Sequence, residues 1–186
     1  MKIPALLALA VFATAIAGQR LEAANTVVFL VRHAEKATQP PDDPPLTGAG
    51  SKRARTLAGI MAEVQPVAVF HTQYRRTRQT ARPTVDRLHI PAILIPVTTN
   101  AEDAHARAVV ARIDKEFSGR TTLVVGHTTT LPLIIQRLGI TNPPTILEHQ
   151  FHRKFKVTKG PWPWSRATME ETTYGLYSPP HGLYGH

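Results

Sequence analysis

Short apolar runs alternate along the chain with stretches of helical periodicity. Runs of this length without polar alternation are typical of strands buried on both faces of a sheet. Between them, apolar residues recur at spacings of three and four, which indicates helices with one buried side. The alternation predicts an α/β fold, a three-layer α/β/α arrangement around a mostly parallel central sheet. The predicted strands are residues 27–31, 67–70, 90–97 and 122–125, with a last one at 151–157.

The predicted helices begin and end at recognisable residues. Thr47 can cap the first helix, and Asn100 the third, with Asp103 three residues on. Pro83 should interrupt the second helix because proline lacks a backbone donor. Gly139 should end the fourth. The predicted inward positions are Ala54, Leu57, Ala58, Met61 and Val64 in the first helix, Ala106, Val109, Val110, Ile113 and Phe117 in the third, and Leu131, Ile134, Ile135 and Leu138 in the fourth.

The domain prediction separates a leader from one folded unit. Lys2 precedes a short apolar run, Ala5 to Ala17, and small residues there favour a signal peptide over residues 1–24, cleaved near residue 17 or 24. The run is shorter than the roughly 20 residues that cross a bilayer, so we expect export without a stable membrane span; an uncleaved tether is the alternative. Residues 25–186 are predicted to form a single domain with an irregular C-terminal tail.

Charge and composition limit the partners. The chain of 186 residues has a formal net charge of +9, so its surface should attract anions. The basic residues Lys52, Arg53 and Arg55 are interpreted as a solvated helix face, and we expect no nucleic-acid partner. There is no cysteine, which excludes disulfides, thiolate metal sites and a cysteine nucleophile.

Polar side chains follow three of the predicted strands. Arg32 and His33 end the first, residues 71–76 follow the second, and His127 follows the fourth. Ligands of parallel sheets bind at the carboxyl ends of the strands, so these side chains should meet. His127 also comes where a helix is predicted to begin, and backbone N–H groups there favour anions. Together these positions predict a pocket for a phosphoryl group.

Four motifs in this order resemble those of the histidine phosphatase superfamily, the phosphoglycerate mutase-like proteins that include small bacterial phosphohistidine phosphatases. The resemblance spans residues 27 to 138 and implies a phosphoglycerate mutase-like fold of an exported bacterial branch. The motifs are Val31-Arg32-His33-Ala34-Glu35-Lys36, Leu46-Thr47-Gly48-Ala49-Gly50, Tyr74-x-Arg76-Thr77-x-Gln79-Thr80-Ala81 and Val125-Gly126-His127-Thr128.

The resemblance implies a role for each matched residue. His33 corresponds to the nucleophile, which forms a phosphohistidine that water then hydrolyses. Arg32 and Arg76 would clamp the phosphoryl oxygens, and His127 would stabilise the charge that develops on the transferred group. Thr72 would add a hydroxyl for substrate binding. Because these cations can do the electrostatic work of a magnesium ion, the resemblance implies no metal and no cofactor.

Several positions near the predicted site keep two interpretations. Glu102 and Asp103 are at about the place where many members carry the general acid, although Asp103 could instead cap a helix. His71 could contact substrate or pack in the core. Arg75 competes with Arg76 for the clamp, and the motif spacing favours Arg76.

The sequence therefore predicts a metal-independent phosphoric monoester hydrolase that acts through a phosphohistidine on His33. Its substrate would be a phosphorylated small molecule or cell-envelope component, in the periplasm or outside the cell. The alternatives are a non-catalytic cationic phosphate- or polyanion-binding protein on the same fold, and a phosphoglycerate mutase-type phosphotransferase. Export away from cytosolic glycolysis argues against the mutase, and the sequence carries no signal for oligomeric state.

Overall fold

The computed structural model describes residues 24–162 and 164–178, which form six strands and four helices. Residues 1–23 of the predicted leader and the last eight residues of the tail lie outside the described residues. In chain order the elements are β1 (Thr26–Arg32), α1 (Gly48–Val64), β2 (Val69–His71), α2 (Arg75–Leu88), β3 (Ala92–Leu94), α3 (Glu102–Glu116), β4 (Thr121–Gly126), α4 (Thr130–Arg137), β5 (Arg153–Lys159) and β6 (Thr168–Thr173).

The six strands form one sheet in the order β3-β2-β4-β1-β5-β6. The first four strands in the chain are parallel, whereas β5 and β6 are antiparallel additions beside β1. In the β1–β4 pair, Arg32 is opposite Gly126. His33 and His127, the next residues of the two strands, therefore leave the sheet side by side.

The helices cover both faces of the sheet, which confirms the three-layer prediction. Helices α3 and α4 pack on one face and α1 and α2 on the other, because side chains of each strand alternate between the two faces. The first core contains Val28, Leu30, Phe70, Ile113, Val124, Ile134 and Phe155. The second contains Phe29, Val31, Leu57, Met61, Val69, Val125 and Tyr174.

The structure corrects two predictions about helix boundaries. Helix α2 does not stop near Pro83 but continues to Leu88. Its residues on either side of the proline, Ala81 and Thr84, are both buried, so packing holds the helix together despite the missing backbone donor. Asn100 does not cap α3: it adopts a left-handed conformation with φ 65°, and the N-cap is Ala101.

Two further predictions are wrong in ways that matter for the site. Arg53 is not on a solvated face but is 5% exposed and lies under the loop that follows β1. The chain after β5 is not irregular, because residues 168–173 form β6 at the edge of the sheet. Thr47, by contrast, caps α1 as predicted, accepting a hydrogen bond from Gly50 N–H.

None of the described helices has the length and hydropathy that crossing a bilayer requires.

Candidate active site

A cavity of about 220 Å³ opens at the carboxyl edge of the parallel strands. Four predicted site residues share it, although they are far apart in the chain: Arg32 and His33 after β1, Arg76 at the start of α2, and His127 after β4. The rest of the lining is mostly polar and comprises Lys36, Tyr74, Val97, Thr99, Glu102, Thr128, Thr129, Thr130 and Glu148. Two guanidinium groups and two imidazole rings therefore line the same small cavity.

His33 is buried and oriented by the backbone. Its Nδ1 lies 2.8 Å from the carbonyl oxygen of Ala34. A carbonyl oxygen only accepts hydrogen bonds, so Nδ1 carries the proton and Nε2 keeps its lone pair. Burial, and after it the charge of Arg32, lowers the pKa of His33 to about 2. The empty site thus holds a neutral imidazole with one nitrogen available to attack.

Arg32 contributes a guanidinium that is almost fully buried at 3% exposure. It lies over the ring of Phe151, with its Cζ 4.3 Å from the ring centroid. It also forms an ion pair with the carboxylate of Glu148 and donates to the carbonyl oxygens of Leu147 and Glu148. The loop before β5 therefore closes one side of the cavity on this arginine.

Arg76 reaches the cavity from the first turn of α2. Its Cζ lies 4.1 Å from the centroid of the Tyr74 ring, which itself packs edge-on against His127. Asp43, in the proline-rich loop after β1, accepts from the backbone N–H of Arg75 at 2.8 Å and lies 3.9 Å from the Arg76 guanidinium. Asp43 thus fixes the start of α2 and, with it, the position of Arg76.

His127 is held by hydroxyl groups. Its Nε2 is 2.9 Å from Thr72 Oγ1, which is in turn 2.9 Å from Thr77 Oγ1. Its backbone N–H donates to Thr130 Oγ1, the first residue of α4. Burial, and after it the charge of Arg76, lowers the pKa of His127 to about 3. Its ring centroid is 5.4 Å from that of His33, so the two imidazoles face one space.

A second layer of contacts fixes the loop that carries His33. The carbonyl oxygen of Glu35 accepts from Thr47 N–H at 2.9 Å, and a Cβ at Gly50 would lie only 2.2 Å from that oxygen. Arg53 holds the Glu35 carboxylate at 2.7 Å and also donates to the C-terminal segment. The motif of residues 46–50 therefore positions the loop and does not bind a ligand itself.

The remaining predicted residues divide between the cavity and its surroundings. Glu102 lines the cavity, but Asp103 does not: its carboxylate pairs with Arg107 and Arg137 on the surface, and Asp103 does not cap α3. Thr72 is buried behind His127 and is not among the lining residues. His71 is also outside the lining, where its Nδ1 donates to the carbonyl oxygen of Thr72 at 2.8 Å.

Three residues at the site were not predicted from sequence: Asp43, Glu148 and Phe151. Asp43 lies in a loop whose prolines and aspartates indicate only an irregular segment. Glu148 and Phe151 lie just before β5. The sequence predicted this strand but not whether it runs parallel or antiparallel to β1. Because β5 is antiparallel to β1, the segment before it lies at the same edge as His33. Only the direction of that strand could have pointed to them.

The acidic and histidine side chains of residues 24–162 and 164–178 form no cluster of three or more that could hold a metal ion. The positive charges at the cavity come from Arg32, Arg76 and Lys36, and the negative charges from Glu102 and Glu148. Arginine presents a planar fork of donors that matches phosphate oxygens. Chemically, the arrangement suits a small dianion bound next to an unprotonated nitrogen.

Comparison with known proteins gives one family and many related folds. The chain matches the model of the histidine phosphatase superfamily (branch 1) over residues 28–101. No match was found among curated proteins.

Solved structures extend the likeness over most of the chain. Mycobacterial hydrolase 2 is 14% identical, with a TM-score of 0.64 over 83% of this chain and 94% of that chain. The mycobacterial glucosyl-3-phosphoglycerate phosphatase is 14% identical, with a TM-score of 0.61 over 77% and 96%. A protein proposed to be the phosphohistidine phosphatase SixA from Nakamurella multipartitia is 21% identical, with a TM-score of 0.56 over 85% and 99%.

At these identities the structural likeness shows a shared fold. The matched residues 28–101 include Arg32, His33 and Arg76, and the shared fold continues through β4, which carries His127. Residues 28–101 therefore match the histidine phosphatase superfamily (branch 1), and the chain shares the fold of solved phosphatases of the phosphoglycerate mutase-like kind.

Proposed function

We propose that this protein is a metal-independent phosphatase that hydrolyses a phosphate monoester through a phosphohistidine on His33. The observation that carries the proposal is the arrangement of His33 between Arg32, Arg76 and His127, with Nδ1 committed to Ala34 and Nε2 free. A protein that only bound phosphate would need the cations but not an oriented, neutral imidazole beneath them. The match of residues 28–101 to the histidine phosphatase superfamily supports the same function.

In the first step, His33 Nε2 attacks phosphorus and the bond from phosphorus to the leaving oxygen breaks. The leaving oxygen takes a proton, and the product alcohol departs. Arg32 and Arg76 hold the non-bridging oxygens and balance their charge. His127 is neutral in the empty site, but a bound dianion favours its protonated form, which can donate a hydrogen bond to the transferred group.

In the second step, water attacks the phosphohistidine and gives up a proton as the bond from nitrogen to phosphorus breaks. Inorganic phosphate leaves, and His33 returns to the neutral imidazole with Nδ1 protonated. The hydrogen bond from Nδ1 to Ala34 persists throughout, so the ring does not change its tautomer during turnover.

The decisive experiment compares wild type with His33→Ala on 4-nitrophenyl phosphate in excess chelator. We expect wild-type turnover that vanadate inhibits, and turnover at the background level for the variant, because the nucleophile is gone. Rapid denaturation during turnover should trap a phosphoryl label with the acid lability of a phosphohistidine, in wild type only.

His89→Asn provides the matched control. His89 is exposed at the far end of α2 with φ 52°, a backbone conformation that asparagine tolerates. This variant should keep wild-type turnover and labelling. Turnover of His33→Ala at the wild-type rate would contradict the proposed role of His33.

We also propose that the protein is exported and acts on a phosphorylated small molecule or cell-envelope component. The support is the sequence of residues 1–24, with Lys2 before the apolar run, and the positive net charge. The mature protein should begin near Gly18 or Asn25, which N-terminal sequencing of exported material will test. An intact Met1 on the exported protein would contradict cleavage.

A further inference from the structure

The cavity contains a carboxylate in direct contact with its central cation. The side chain of Glu148 forms an ion pair with Arg32, and its other oxygen, Oε1, accepts from Thr128 Oγ1 at 2.8 Å. The two partners differ greatly in exposure, since the side chain of Arg32 is 3% accessible and that of Glu148 is 76% accessible. Glu148 thus lies at the mouth of the cavity and reaches inward to a buried charge.

This contact conflicts with substrate binding as proposed above. The phosphoryl oxygens require the same guanidinium that Glu148 occupies in the empty site. A bound phosphoryl group would therefore displace the carboxylate from Arg32, while Thr128 still holds its other oxygen. The displaced carboxylate would then lie beside the oxygens of the bound phosphoryl group, where a proton can be shared between them.

The position of Glu148 also matches the direction in which the leaving group departs. In-line displacement puts the attacking nitrogen and the leaving oxygen on opposite sides of phosphorus. His33 is buried at the floor of the cavity, so the leaving oxygen faces the mouth, where Glu148 lies. A protonated carboxyl group at the mouth would therefore lie on the same side of phosphorus as the leaving oxygen.

We propose that Glu148 is the general acid, which leaves Arg32 when the phosphoryl group binds and then protonates the leaving oxygen. The inference rests on the proposed function and names a catalytic residue that the family resemblance does not supply. As the bond from phosphorus to oxygen breaks, the Glu148 proton moves to that oxygen and the alcohol leaves. The resulting carboxylate then accepts a proton from the water that attacks the phosphohistidine, and Glu148 is again a neutral acid.

Two other carboxylates compete for this role. Asp103 is outside the cavity, where hydrogen bonds from Arg137 hold its pKa below the ordinary value, so it is a poor proton donor. Glu102 lines the cavity from α3, but among the described residues its carboxylate makes no hydrogen bond or ion pair. Of these three carboxylates, Glu148 is the one paired with Arg32, which the phosphoryl group must contact.

The experiment uses two substrates whose leaving groups need a proton to different degrees. The glycerol of glycerol phosphate would leave as an unstable alkoxide unless its oxygen is protonated. The 4-nitrophenolate of 4-nitrophenyl phosphate is stable enough to leave without a proton. Glu148→Gln should lower kcat for glycerol phosphate by about 100-fold or more, the usual contribution of a general acid, and kcat for 4-nitrophenyl phosphate far less. Glutamine keeps the hydrogen-bonding shape of the side chain, so the fold should be retained.

The pH profile separates a proton donor from a residue that only shapes the site. For wild type, kcat for glycerol phosphate should fall at high pH as the acid deprotonates. This decrease, the high-pH limb of the profile, should be absent in Glu148→Gln. The groups around the carboxylate that influence the limb are Arg32, Arg76, Lys36, His127 and Glu102. Calorimetry of vanadate binding in buffers of different ionisation enthalpy should show less proton uptake in the variant.

Glu170→Gln serves as the matched control, because Glu170 pairs with Lys156 on the outer strands, away from the cavity. It should behave as wild type on both substrates. Equal loss on both substrates in Glu148→Gln, no loss on either, or selective loss in Glu102→Gln would overturn the inference while wild type remains active. A wild-type chain inactive on both substrates would instead overturn the proposed function, and the inference with it.

Discussion

His33 and His127 are two buried imidazoles surrounded by guanidinium groups, and this environment keeps both neutral. Burial is the largest cause of the lowered pKa of each, with Arg32 and Arg76 adding to it. A neutral His33 keeps the lone pair that the proposed attack requires, whereas a protonated His127 would offer two N–H donors where the neutral ring offers one. A dianion bound between the two rings would offset the surrounding positive charge, which otherwise disfavours protonation of either imidazole.

The same shifts predict how stability depends on pH. In the unfolded chain both imidazoles take up a proton as the pH falls below about 6.5, whereas in the folded protein they stay neutral down to about 3. Protonation thus favours the unfolded chain, so stability is retained above about 6.5 and lost as the pH falls. Between pH 7.5 and 5, the free energy of unfolding should drop by about 2 kcal/mol for each histidine.

Urea unfolding at the two pH values will measure this loss. Replacing both residues, His33→Gln with His127→Gln, should make the drop smaller by about 4 kcal/mol, because glutamine does not titrate. A drop of unchanged size in the double variant would show that other groups cause it.

For single residues, the sequence predicted that Arg32, His33 and His127 would lie together because each directly follows a predicted strand, and parallel strands have their carboxyl ends at one edge. Arg76 needed the spacing of the motif as well, since the strand rule alone did not choose between Arg75 and Arg76. Asp43 and Glu148 escaped because they act from loops whose place depends on tertiary packing. Arg53 was misread because a basic residue on a helix is usually solvated, and its buried partners are over a hundred residues away.

Among the elements, helix α1 is the part that joins the loop carrying His33 to the C-terminal segment. Arg53 binds the Glu35 carboxylate on one side and donates to the carbonyl oxygens of Tyr174 and Leu176 and to Ser178 Oγ on the other. One side chain therefore connects the loop after β1 with the segment after β6.

Replacing this arginine should be costly. Arg53→Met would leave the Glu35 carboxylate and several carbonyl groups without their donor, at a cost of about 3 kcal/mol in the free energy of unfolding. We place the cost at the lower end of the range for buried pairs because the Glu35 side chain is 22% accessible. Phosphatase turnover should fall as well, since Glu35 is two residues from His33.

Arg55→Met is the matched control, because Arg55 is an exposed residue on the same helix. Urea denaturation should show a change within about 0.5 kcal/mol for this variant. Equal stability of the two variants would contradict the structural role of Arg53.

Helix α2 shows where local rules fail. Pro83 predicts a break, yet the helix runs on to Leu88. The rule describes the backbone alone, and here the buried residues Ala81 and Thr84 on both sides of the proline favour the continuous helix. The boundaries of α1 and α4 were predictable because Thr47 and Gly139 act through contacts within a few residues.

For the whole molecule, the layered α/β architecture followed from the order of apolar runs and amphipathic stretches. The sequence did not reveal that β5 and β6 run antiparallel, since nothing in a strand of alternating residues specifies its direction. β6 is exposed along most of its length, so its sequence lacks the apolar signal on which the other predictions relied. The net charge of +9 adds an attraction for anions that acts beyond the cavity itself.

Because β5 is antiparallel to β1, the loop before β5 lies at the cavity, and two separate stretches of chain line it. Everything that would grip the phosphoryl group comes from β1 through β4, whereas Glu148 and Phe151, at the cavity mouth and over Arg32, come from a later loop. Changes in that loop can alter which alcohols are accepted while phosphate capture is preserved. Relatives with the same parallel core could in this way acquire new substrates through changes in this loop alone.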